Sequence, residues 1–205
     1  MPADPWSACA LLATFAMWVL MMGVMMLPAA TPVLRVIVAA TAAPSPSRLS
    51  VPVVLAGYLL VWTAFSALAT VAQASLAAAG LLGADLRATD GRLASVFLAL
   101  AGGYQFSPWK LRFLSHCAHP IALLLRHPGG DARASVAMGM RYGITCIGCC
   151  APLMLVLFAV GVMNVAWIVA ITVFVLAERY GIGGAMLSRA AGGALVAYAV
   201  YTAAV

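Results

Sequence analysis

The sequence predicts an all-α fold: a polytopic membrane helical bundle of about six transmembrane helices, with an interfacial amphipathic segment after the third. Two observations carry this. Hydrophobic residues make up 65% of the 205 and charged residues only 8%, with a mean hydropathy of +1.08. A soluble domain carries about 25% charged residues, so most of this surface must face lipid or other helices. In addition, six apolar runs approach the length of about 20 residues that spans the hydrocarbon core as a helix. A single domain over residues 1–205 is expected, because no period of repeat size recurs along the chain.

The first run, residues 6–27, ends where Pro28 and Pro32 withdraw backbone donors. It has no basic stretch before it and no small-x-small cleavage pattern after it, so it reads as a retained helix, not a leader. The second, 51–79, follows the turn-forming Ala-Pro-Ser-Pro-Ser-Arg stretch. The third, 93–114, is interrupted at Ser107-Pro108. Residues 109–127, WKLRFLSHCAHPIALLLRH, alternate charged and apolar positions at helical spacing, which fits an interfacial helix with Lys110, Arg112 and Arg126 reaching to headgroups. The fourth run is 134–160, rich in glycine and cysteine, the fifth 164–177 and the sixth 188–205.

With the N-terminus outside, the inner connections collect Arg35, Arg48, Lys110, Arg112, Arg126, Arg133, Arg179 and Arg189, and the outer ones only Arg87 and Arg92. This asymmetry places both termini outside a multi-pass inner membrane protein. The formal charge of +6 is spread through connections and forms no basic face, so nucleic acid is not an expected partner. There is no Gly-x-x-x-x-Gly-Lys, no Ser/His/Asp set and no carboxylate pair at membrane depth. Nucleotide-driven pumping and carboxylate-mediated proton coupling are therefore not expected of this chain, and an enzyme is the less favoured class. Five cysteines without extracellular spacing do not form a disulfide framework.

Sulfur carries the chemistry. Met17, Met21, Met22, Met25 and Met26 crowd the first run, and Met22, Met25 and Met26 share a face at spacings of three and four. Cys146, Cys149 and Cys150 form one patch on the fourth. Thioether and thiolate are soft donors that favour Cu(I), with zinc and iron–sulfur also open to the cysteines. Three readings of the cysteines stand side by side: metal ligands, a Cys146/Cys149 thiol–disulfide couple, and small residues for close packing beside Gly139, Gly143 and Gly148. His116, Cys117 and His119 form a further ligand group at the inner surface. Supporting residues are Arg141, within the fourth run, and the stripe Tyr58, Trp62, Ser66, Thr70 and Gln73, which is too polar to face lipid. Tyr104 and Gln105 precede the Ser107-Pro108 break, where freed carbonyls could face a cavity. Asn164 reads as a helix cap, and Glu178 with Arg179 as a pair at a helix end, bonded to each other or to headgroups.

Several of these stretches recur together: Ala16-Met17-Trp18 to Met25-Met26-Leu27-Pro28, Gly57-Tyr58 to Trp62 and Phe65-Ser66, Gly103-Tyr104-Gln105 with Pro108 and Lys110, Cys146-x-Gly148-Cys149-Cys150 to Met154, and Gly161-Val162-Met163-Asn164 to Trp167. On these motifs the chain resembles a bacterial domain-of-unknown-function family of predicted metal-binding integral membrane proteins, copper-chaperone-like. The resemblance covers nearly the whole chain and implies a multi-helix membrane fold that binds metal. The family pattern has a cysteine four positions before Cys117, where this chain has Phe113, so the inner-surface ligand set is reduced. The expectation is a membrane-embedded Cu(I)-binding protein that stores, relays or delivers copper to another membrane or periplasmic protein. The alternatives are a structural helical subunit of a larger complex and a membrane thiol or copper redox enzyme.

Overall fold

The computed structural model describes residues 7–41, 50–83, 86–118, 131–181 and 184–204. Seven helices occupy them: α1 (Ala8–Thr41), α2 (Val51–Ala78), α3 (Gly91–Gln105), α4 (Pro108–Ala118), α5 (Ala132–Val160), α6 (Val165–Arg179) and α7 (Gly184–Ala204). The all-α expectation holds, and three of these helices, not six, are long and apolar enough to cross a membrane: Ala8–Ala39 within α1, then α2 and α5. The difference has a physical cause. Helices α3 and α6 have 15 residues each and α4 has 11, and at 1.5 Å per residue about 22 Å does not cover a core of about 30 Å. A hydropathy window reads across the Ser107-Pro108 break, whereas the backbone stops there. Helix α7 has 21 residues, but Ser188, Arg189, three glycines and two tyrosines lower its hydropathy.

Helix α5 is the centre of the assembly. Of its apolar window 61% is buried, against 22% for α1 and 33% for α2. Helices α2, α3, α4 and α6 all pack on it, while α1 leans on α2 and α6, and α7 lies along α3. Close approach between α2 and α5 depends on glycine. A Cβ on Gly139 would overlap the Val54 carbonyl, and one on Gly57 would overlap that of Val136. Gly102 and Gly192 play the same part between α3 and α7. The outward faces carry Leu12, Leu20, Val24, Leu68 and Val71, all largely exposed.

The first helix does not stop at Pro28; it continues to Thr41 with both prolines inside. Pro32 has no N–H to offer the Pro28 carbonyl, and the Thr31 hydroxyl donates to that oxygen instead, at 2.6 Å. Pro152 creates the same deficit in α5 at the Gly148 carbonyl, and the Tyr104 hydroxyl fills it at 2.5 Å. The carbonyls freed by Pro32 and by Pro152 are thus each met by a side-chain hydroxyl. Asp90, Asp131 and Asn164 cap α3, α5 and α6, accepting from Arg92, Ala134 and Trp167 N–H groups. Gly161, at φ +103°, ends α5 in a conformation that side-chain-bearing residues avoid.

Candidate metal centre

The cysteine patch on α5 points into the protein. Cys146, Cys149 and Cys150 are each at most 1% exposed. Their spacing of three and four puts them on one face, and that face meets α4, where Cys117 is equally buried. The Cys149 and Cys150 sulfurs lie 3.2 Å apart, and Cys117 Sγ is 3.8 Å from Cys149 Sγ. All five cysteines are free thiols, and the fifth, Cys9, is exposed.

A guanidinium closes the pocket. Arg179, at the end of α6, is 3% exposed. Its Nη2 donates to Cys146 Sγ and faces Cys149 Sγ at 3.5 Å and Cys150 Sγ at 3.8 Å. Its Nη1 donates to the Tyr142 hydroxyl at 2.9 Å and the Ala29 carbonyl at 3.3 Å, while Nε has no partner among the described residues. Tyr58, on α2, donates from its hydroxyl to the Met26 carbonyl at 3.0 Å and stands 3.3 Å from Cys146 Sγ. One phenol thus links the methionine turn of α1 to the cysteines.

Beside the pocket lies a buried polar chain. Lys110 Nζ donates to Glu178 Oε2 at 2.8 Å, the other Glu178 oxygen accepts from the Ser188 hydroxyl, and Lys110 stands over the Phe174 ring. Glu178 and Arg179 are neighbours on one helix and so point about 100° apart: the carboxylate turns to α4 and α7, the guanidinium to the sulfurs. Lys110 therefore does not reach headgroups, because α4 turns it inward onto a carboxylate. Arg112 is exposed, over the Trp109 ring, and Arg126 lies outside the described residues. Glu178 and Arg179 do not pair with each other.

The other predicted site residues fall as follows. Met22, Met25 and Met26 are buried, Met17 and Met21 partly so. Tyr58, Trp62, Ser66, Thr70 and Gln73 are all buried on α2, and Gln73 accepts from the Trp18 indole at 2.7 Å. Among the described residues neither amide atom of the buried Gln105 has a hydrogen-bond partner, nor does the buried Trp62 indole nitrogen. His116 is exposed, its Nδ1 2.7 Å from the Arg112 carbonyl, away from the buried sulfurs. His119 lies outside the described residues. Arg141 is exposed on α5, on the side away from the cysteines, so the cation at the pocket is Arg179. Sequence reasoning missed Arg179, Tyr142 and the Lys110–Glu178 pair. A Glu-Arg step ending an apolar helix looks like surface, and only the packing of α6 against α5 says otherwise.

Among the described residues no three His, Cys, Asp or Glu side chains stand as a ready-made metal cage. The cluster offers soft donors shielded from solvent, the donor type that thiophilic ions favour. Fold and pocket together define an all-α protein with an enclosed thiol cluster. The sequence model of the PpoB2 family, described as a copper chaperone, matches residues 15–202, and the chain belongs to that family. Neither the curated proteins nor the solved structures contain a detectable match.

Proposed function

We propose that this protein is a membrane-embedded carrier of Cu(I) that holds the ion on cysteine sulfur and hands it to a partner protein. Cys146, Cys149 and Cys150 are its primary ligands and Cys117 a fourth, with Met22, Met25 and Met26 as secondary or relay donors. The observation that carries this is the convergence of four thiols from α4 and α5 in one buried pocket. Packing alone gives no reason for four thiols to share a pocket with an arginine. Membership of a copper chaperone family supports copper as the cargo. The three apolar helices and the apolar outward faces support residence in a membrane, the bacterial inner membrane, with the lipid bilayer as first partner. His116 and His119 would serve only as a surface relay.

The test is anaerobic Cu(I) titration of purified protein against a chromogenic chelator. Wild type should bind Cu(I), and Cys146→Ser/Cys149→Ser/Cys150→Ser should abolish that binding while remaining folded. A triple variant that binds as the wild type does would refute the assignment, and a wild type that binds no copper would refute the carrier role.

A further inference from the structure

Among the described residues the thiol pocket is shielded unevenly. Toward α1, α2 and α6 it ends on Met26, Ala29, Tyr58 and Arg179, each at most 3% exposed. Toward α3 and α4 it ends on Tyr104 and Phe113, both only half-buried. Tyr104 is tied down, because its hydroxyl donates to the Gly148 carbonyl. Phe113 has no polar group to tie it. Its ring lies on Gly148, the residue before Cys149: a Cβ there would stand 2.7 Å from two ring carbons, so a glycine is what leaves room for this seat. Phe113 and Cys117 are four residues apart on α4, so ring and thiol share the face that meets α5.

The helix that carries the ring is also the wall most easily moved. Helix α4 has 11 residues, too few to hold a helix without packing, and its outer side, with Trp109, Arg112, Ser115 and His116, is exposed. Its inner side is anchored by the Lys110–Glu178 pair near its start, then by Phe113, Leu114 and Cys117. Local opening draws on short, half-exposed elements of this kind. We propose that Phe113 is the gate of the thiol pocket. Its ring seals the seam between α4 and α5 beside Cys117 and Cys149, and its departure from Gly148 is the step that lets a soft ion pass between these sulfurs and an incoming donor. This rests on the reading of the cysteines as cargo ligands. Phe113 offers no donor atom of its own, so it governs how fast the ion is exchanged and not how tightly it is held.

The full-length protein in detergent, loaded anaerobically with Cu(I), is mixed with an excess of a water-soluble chromogenic chelator, and the rate of release is followed. Phe113→Ala should release Cu(I) about tenfold faster or more, while its equilibrium affinity stays within about threefold of wild type. Phe113→Leu, which keeps a smaller apolar plug, should fall between the two. An unchanged rate in Phe113→Ala overturns the proposal. So does a gain in rate matched by an equal loss of affinity, the sign of a phenylalanine that merely holds the ligands in place. A second measurement needs neither variant nor metal: metal-free wild type is alkylated with N-ethylmaleimide and the adducts are mapped by peptide mass spectrometry. Exposed Cys9 should react at once. Cys117 and Cys149, beside the ring, should follow before Cys146, which lies against Tyr58 and Arg179. Cys146 reacting first, or all four buried thiols reacting together as in global unfolding, overturns the gate. The two readings fail differently: a wild type that binds no Cu(I) sinks the carrier role itself, whereas Cu(I) exchange that is indifferent to position 113 sinks only the gate.

Discussion

Replacing Lys110 by methionine probes the buried pair that ties α4 to α6. Lys110 Nζ and Glu178 Oε2 are 2.8 Å apart, with side chains 0% and 2% exposed. At that separation the attraction is about 6 kcal/mol for an effective dielectric near 20, and the desolvation of both ions, several kcal/mol each, offsets most of it. The intact pair therefore contributes little net stability. Breaking it is different, because Lys110→Met leaves Glu178 buried with the Ser188 hydroxyl as its remaining described partner. The expected loss is about 3–5 kcal/mol, read as a shift in the denaturation midpoint in detergent. Lys110→Met/Glu178→Gln removes the stranded charge and keeps the Ser188 bond, so it should recover most of that loss. Because α4 carries Cys117 and α6 carries Arg179, the single variant should also weaken Cu(I) binding more than the double. A single variant that loses less than about 1 kcal/mol, or a double no better than the single, would refute the reasoning.

Two further outcomes follow from the packing. Gly139→Ala puts a methyl into the Val54 carbonyl, where backbone cannot yield, and should cost about 3 kcal/mol or more; Gly103→Ala meets nothing within 4 Å and should be neutral or slightly stabilising, both read by thermal unfolding. Tyr58→Phe removes the hydroxyl between the Met26 carbonyl and Cys146; a loss of about 0.6–1.5 kcal/mol is expected, with a measurable fall in Cu(I) affinity and no change in helix content by circular dichroism.

Element boundaries were legible wherever turn chemistry and periodicity agreed. The start of α2 after the Pro-Ser-Pro stretch, the break at Ser107-Pro108 and the Asn164 cap all appear where local signals put them. The first helix misled because a proline removes one donor, and whether that ends a helix depends on who else supplies one. Thr31 does so for Pro32 in α1 and Tyr104 for Pro152 in α5. The cysteine face was legible from spacing, and so was the inward stripe on α2, since polar side chains at helical intervals are costly against lipid. The wrong cation was singled out for a related reason: Arg141 looks interior from its depth in the run, yet its direction on α5 takes it outward.

By itself the sequence determined the all-α class, where most helices begin, and the grouping of Cys146, Cys149 and Cys150, because hydropathy, helical period and turn residues act over a few positions at a time. Only the three-dimensional structure decided that three helices among the described residues are both long and apolar enough to span, that Cys117 joins the other thiols, and that Lys110 and Glu178 neutralise each other inside. It also decided that Arg179 is left facing sulfur. A side chain's charge partner depends on which helices cross and at what rotation: Lys110 meets Glu178 68 residues along the chain and Arg179 meets Cys146 33 residues away, separations over which local sequence carries no signal.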